Sequence, residues 1–236
     1  MHLKRKLATS TLSIAALGGA ALMMVPPAAT AAGPTHSATT SATTAATTST
    51  SGKSYVARAV AHLDPLNNSG VSGYGIVSLK VSNNRIDVVV RASGLLANMP
   101  HAMHIHWGRT AAHECPTVAQ DANRDHRVNV AEGVPSYGPI RVSLTTRGDT
   151  SPNSALAVDR FSTAPHGKLV YKRYSIKVDA RTARAIRAGQ AVLVIHGLDY
   201  NQNGKYDFAG AGASELNSAV PAEATDPAAC GVLHRH

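Results

Sequence analysis

The chain has 236 residues, with 23 Lys plus Arg against 14 Asp plus Glu and a formal net charge of +9. Aromatic residues make up 4% of it, and no basic run is interleaved with them, which argues against nucleic-acid binding. The basic excess is spread along the sequence as a solvated surface, a distribution that also suits an anionic cell-wall surface or the steering of a small anion.

The first residues read as targeting sequence. Lys4-Arg5-Lys6 is a basic start, Leu7 to Val25 is mostly apolar, and Pro26-Pro27 ends the run. Ala29-Thr30-Ala31 fits a small-x-small cleavage site, so residues 1–31 are expected to be a secretory signal peptide. The mature chain is then secreted, outside the cell or at its wall. Thr and Ser dilute the apolar run below the roughly 20 strongly apolar residues of a membrane span, so no transmembrane anchor is expected. Residues 32–53 are dominated by Thr, Ser and Ala and are expected to form a disordered spacer. Residues 54–236 suit one domain.

Strand signals dominate that domain. Val- and Tyr-rich or alternating runs predict strands over Tyr55–Leu63, Tyr74–Val81 and, after the Asn83-Asn84 turn, Ile86–Ala92. Further strands are expected over Ala102–Trp107, Ile140–Thr146, Ala155–Phe161, Leu169–Val178 and Ala191–His196. One short helix is predicted, with Asp179 as cap, Ala180–Ala188 as body and Gly189 as stop. Many short strands joined by turns and long loops predict an all-β fold, a sandwich or Greek-key barrel of about eight strands.

The chemistry lies in two histidine patches. His104 and His106 alternate around Ile105, so a strand turns both to one face. His196 ends the apolar run Ala191–Ile195. Imidazoles from two strands can meet on one transition-metal ion at about 2 Å each. The alternative is a metal-free scaffold whose histidines bond to one another and to the loops. A thioether from Met99 or Met103 facing the site would favour Cu(I), but alternation puts Met103 on the face opposite His104.

Two downstream loops carry oxygen ligands. In the first, Asp121, Asn123, Asp125, Asn129 and Glu132 fall at positions 1, 3, 5, 9 and 12 of an EF-hand-type calcium loop. It departs from that pattern in having His126 where Gly makes the turn, and no amphipathic helices are expected to flank it. The second has Asp199, Asn201, Asn203 and Asp207 and keeps Gly204, but Gly210 stands at position 12. A carboxylate would then have to come from elsewhere, with Glu215 a candidate; ordinary Asx turns are the alternative for both loops. The two cysteines, Cys115 and Cys230, predict one disulfide in an exported chain, against two free thiols.

With these residues in place, most of residues 54–236 resembles the copper/zinc superoxide dismutase-like superfamily, and within it the CHRD-type domains of secreted bacterial proteins. The resemblance is carried by the Gly70–His106 segment with its His-x-x-His-x-His strand and by Cys115 nine residues after His106. The Ala191–His196 strand and Ala229-Cys230-Gly231-Val232 carry the rest. It implies a Greek-key barrel with His104, His106 and His196 as copper ligands. It also implies His101 as a hydrogen-bonding support for a loop or ligand ring, and Cys115–Cys230 as the disulfide. The departures are as telling. Where the family places a bridging histidine and its zinc ligands, this chain has the Asp121–Glu132 loop, with His126 alone as a candidate fourth copper ligand. Pro227 stands at the position of the family's anion-guiding arginine. Zinc is therefore not expected, and calcium loops are expected to order the loops in its place. The resemblance implies a metal-binding β-domain with incomplete dismutase machinery. The alternatives are a weak copper-dependent superoxide dismutase and a metal-free structural or adhesion scaffold. A further option is copper sequestration aided by His234-Arg235-His236, a tail otherwise expected to fray.

Overall fold

Alternation decides the first half of the sheet. In β1 (Tyr55–Pro65), Ala59, Ala61 and Leu63 are buried while Arg58, His62 and Asp64 are exposed. The same one-sided pattern runs through β2 (Ser72–Lys80) and β3 (Arg85–Ser93). The computed structural model describes residues 55–80 and 83–236, so the expected signal peptide at 1–31 and spacer at 32–53 lie outside the described residues.

The remaining strands are β4 (Pro100–His101), β5 (Met103–His106), β6 (Ile140–Ser143), β7 (Ser162–Thr163), β8 (Lys168–Lys177), β9 (Val192–His196), β10 (Pro227–Val232) and β11 (His234–Arg235). All pairings among them are antiparallel, in the order β6-β5-β9-β10-β1-β2-β3-β8, with β11 also on β1 and β4-β7 as a separate pair. The fold is all-β, a curled sheet forming half a barrel. A Cβ on Gly75 of β2 would meet Leu193 Cδ2 of β9 at 2.1 Å, so the two halves of the sheet face each other closely across the core. The open edges are tied by side chains: the Tyr171 hydroxyl and the Arg173 guanidinium on β8 both donate to the Thr145 carbonyl, just past β6.

β5 and β9 are buried on both faces, so they read as apolar runs and not as alternation. Met103, Ile105, Leu193 and Ile195 belong to the main core. Val192 and Val194 face the other way and pack with Tyr137 and Cys230 in a second, smaller cluster. The Cys115–Cys230 disulfide, spanning 115 residues, fastens the connection after β5 to β10. Among the described residues no helix is long and apolar enough to cross a membrane.

Four expectations need correction. Ala155–Phe161 is not a strand; 3-10 turns at Pro152–Ser154 and Val158–Arg160 take its place. The Asp149 carboxylate gathers the hydroxyls of Ser151 and Ser154, and Arg160 donates to Ser154 Oγ, so local side-chain bonds prevail over a weak strand pattern. A helix, α1 (Val130–Tyr137), begins within the last three positions of the first loop and runs on beyond it, against the expectation of none. Gly133 and Pro135 hide it in the sequence, while a capping box of Asn129 and Glu132 starts it. The predicted helix is α2 (Ala180–Arg187), followed by the short α3 (Phe208–Ala211) and α4 (Ala222–Thr225). The strand expected over Ala102–Trp107 is β5, but the His-x-x-His-x-His segment is not one strand: Ala102 breaks it, leaving His101 on β4 and the other two histidines on β5. The tail does not fray, because His234 and Arg235 pair with Val60 and Ala59.

A Cys115→Ala/Cys230→Ala variant is expected to lose about 4–5 kcal/mol of unfolding free energy in urea, the chain-entropy value for so long a loop. A loss below about 1 kcal/mol would mean that other contacts hold the connection unaided.

Candidate metal centre

β5 and β9 set the rings in place. His104 lies opposite Val194 and His106 opposite Val192, and His196 follows Val194 by two residues on the same face. Ring centroids are 5.7 Å apart for His104 and His106, 5.0 Å for His104 and His196, and 6.1 Å for His106 and His196. One nitrogen from each ring lies within 4.8 Å of one from each of the others. Small side-chain adjustments would bring the three to the distance of about 2 Å that a shared ion requires.

Each ring is fixed by a backbone carbonyl. His104 Nε2 lies 3.2 Å from the Ala155 oxygen, His106 Nδ1 2.8 Å from that of Gly138, and His196 Nδ1 2.6 Å from that of Thr225. A carbonyl only accepts, so these nitrogens carry the protons and the opposite nitrogens carry the lone pairs. Those opposite atoms, His104 Nδ1, His106 Nε2 and His196 Nε2, are buried without a hydrogen-bond partner. Three orphaned lone pairs in one place are costly unless something fills them.

Burial is the main force on the ring acidities. It holds His104 well below the ordinary histidine value, with repulsion from His196 and His106 adding to it. It takes His106 to about 3, again with repulsion from His196, and His196 to about 4. The carbonyl bonds oppose these shifts without cancelling them. The rings are therefore neutral, as metal ligation requires.

His101 stands outside this group. Its Nδ1 lies 2.9 Å from the carbonyl of His196 and its Nε2 3.1 Å from that of Leu96; burial lowers its pKa, so its single N–H serves one of these carbonyls and braces the backbone. The Tyr206 hydroxyl lies 3.1 Å from His101 Nδ1. Gly197 permits this approach: its φ is +107°, and a Cβ there would meet the Tyr206 oxygen at 2.2 Å. His126 is not brought to the rings. It is exposed in the Asp121–Glu132 loop, at φ +67°, where its N–H donates to Asp121 Oδ2. It thus makes without glycine the left-handed turn that the loop needs. Met103 lies in the main core and not at the centre.

The two loops share one pattern of bonds. Asp121 accepts from the N–H groups of Asp125 and His126, as Asp199 does from Asn203 and Gly204. Glu132 spans the first loop, accepting from Ala122 and Asn123 with one oxygen and from Asn129 with the other. In the second loop the equivalent carboxylate is Glu223, which accepts from Tyr200 and Asp207 at 2.8 Å each. It fills the space beside Gly210, whose Cβ would lie 1.8 Å from Glu223 Oε1. Glu215, the expected candidate, instead lies 3.9 Å from Arg127. No local signal marks Glu223, because it reaches the loop from α4. Asp226 joins the loops, accepting from Arg127 at 2.6 Å and from the Tyr200 hydroxyl at 3.0 Å. Burial raises its pKa to about 6, against the pull of Arg127.

Searches against protein-family models and against characterised proteins find no match to this sequence.

The depressed histidines make stability depend on pH in a fixed direction. Folded values of about 3 and 4 lie below the unfolded value of 6.5, so the unfolded chain binds more protons between them. Their contribution is complete above about pH 6.5 and is lost as pH falls toward 4 and then 3. Urea midpoints of the metal-free protein are expected to fall steeply from pH 7 to pH 4, and a His106→Gln variant to flatten that slope.

Proposed function

We propose that this chain is an exported metal-binding β-domain of the superoxide dismutase-like superfamily that holds one copper ion on His104, His106 and His196. The observation that carries the reading is a set of three buried lone pairs without partners on three rings that each offer a nitrogen within 4.8 Å of the others, each ring's other nitrogen committed to a carbonyl. A structural histidine cluster would be expected to spend those lone pairs on donors. Bound copper would supply one-electron redox chemistry. The protein would supply neutral donors, fixed tautomers and exclusion of water. Turnover of superoxide is not the favoured reading, since Pro227 pairs with His196 where the family's arginine would guide the anion. Full dismutase machinery would also need a bridging histidine, and His126 is turned to solvent.

Metal analysis after reconstitution with Cu(I) under nitrogen is expected to give one copper per chain for the wild type and none at this centre in His104→Ala. Superoxide consumption is expected to stay at the level of the metal-free protein. Activity that disappears in His104→Ala would establish the dismutase alternative. Absence of copper would leave a metal-free scaffold.

A calcium role for the loops is favoured by one observation: Glu223 repeats in the second loop two of the three bonds that Glu132 makes in the first, those to loop positions 2 and 9. Two loops of different sequence reaching one carboxylate-spanned form fit two oxygen-ligand sites. They would order the long connections that in the family are ordered by zinc. Calcium is expected to raise the melting temperature by several degrees, with a smaller rise in Glu223→Gln. An unchanged melting temperature with both calcium and chelator would sink the idea.

A further inference from the structure

What surrounds the three histidines bears on which ion they accept. The rings are 0–3% exposed. Their hydrogen-bond partners are carbonyls, and among the described residues no carboxylate bonds to any of them. Phe161 stands edge-on to His104 at 5.6 Å between centroids, and Tyr137 covers His106 at 4.5 Å. The Tyr137 hydroxyl donates to the Val130 carbonyl. Beside His104 and His196 lies a cavity of about 20 Å³, lined by Ala102, Val130, Leu156 and Val220 and bordered toward the surface by the exposed Val158 and Leu216. A water needs about 10–15 Å³ and two to four polar partners. The cavity has the volume for one, but its walls are almost wholly apolar.

Charge and coordination number then point the same way. The Born cost of taking an ion out of water grows as the square of its charge, so a divalent ion costs about four times what a univalent one does. Zinc normally takes four ligands, and in three-ligand sites the fourth is a water or substrate. Here the cavity beside the rings offers a fourth, water ligand mainly apolar walls, and among the described residues no carboxylate bonds to a ring to offset the second charge. Univalent copper carries one charge and is satisfied by three nitrogen donors. Neither of the other two candidate histidines joins the set: His101 lies against the His196 carbonyl at 2.9 Å and His126 is exposed.

We propose that the His104–His106–His196 centre selects univalent copper over both zinc and divalent copper. This rests on the metal-binding reading above and deepens it. A centre of this kind retains copper in its reduced state in place of cycling it, so the domain acts as a holder of Cu(I) outside the cell.

The test is a set of competition titrations on the metal-free, disulfide-intact full chain. Cu(I) is presented under nitrogen against bicinchoninate, zinc against a chromophoric chelator, and Cu(II) is followed by electron paramagnetic resonance. The expected result is one Cu(I) per chain, bound at least about 1,000-fold more tightly than zinc. X-ray absorption of that adduct should fit three nitrogen neighbours, and stoichiometric Cu(II) should give no protein-bound signal. Zinc or Cu(II) binding within about tenfold of Cu(I) would overturn the selectivity while leaving the metal-binding reading intact. No binding of any of the three ions would overturn both. Undiminished Cu(I) binding in both His104→Ala and His196→Ala would remove the centre from the argument and move it to the His234–His236 tail.

Discussion

A neutral imidazole has one proton to give and one lone pair to offer, and this protein uses that asymmetry three times. His104, His106 and His196 each meet a backbone carbonyl on one side and one another on the other. The three carbonyls belong to three separate stretches: Ala155 in the 3-10 segment, Gly138 after α1, and Thr225 at the end of α4. Fixing the rings and fixing the loops are therefore one event. If a loop shifts, a ring loses its tautomer; if a ring turns, a buried carbonyl loses its donor.

The loops have their own means of holding position. Each is wound around acidic and amide side chains, and each is spanned by one carboxylate. That carboxylate is Glu132 from the following helix in the first loop and Glu223 from α4 in the second. Asp226 then takes Arg127 from the first and Tyr200 from the second, with almost no exposure. A buried ion pair of this kind is worth little by itself, but loss of either partner would leave a charge stranded. The disulfide fastens the first of these connections to β10, and Asn67 clamps Val128 through both its N–H and its carbonyl. Order at the centre thus comes from covalent, ionic and hydrogen-bonded ties that all converge on the outer face of one half of the sheet.

Much of the fold was legible from residue patterns. The one-sided strands β1, β2, β3 and β8 announced themselves by alternation, and Asp179 and Gly189 bracketed α2. The spacing of His104 and His106 placed both on one face. What escaped had specific causes. The capping box of Asn129 and Glu132 was present in the sequence, but the same residues fitted a loop pattern, and Gly133 and Pro135 argued against a helix. β10 is a short run of small residues without alternation, legible only through its cysteine. Glu223 had no signal at all, since it acts across a gap that only the fold closes.

By itself, the sequence determined which residues can donate lone pairs, which faces they share within a strand, and that two cysteines are present that can pair. Those are local matters of chemistry and a period of two. Tertiary structure alone decided that His196 joins the pair on β5 and that His126 does not. It also decided that His101 braces a backbone and that Tyr137 and Phe161 close the walls. The reason is that strand pairing between β5 and β9, and the folding of long connections over the sheet, bring together residues about ninety positions apart. Whether a lone pair is left unfilled depends on every neighbour it meets, and no stretch of sequence contains all of them.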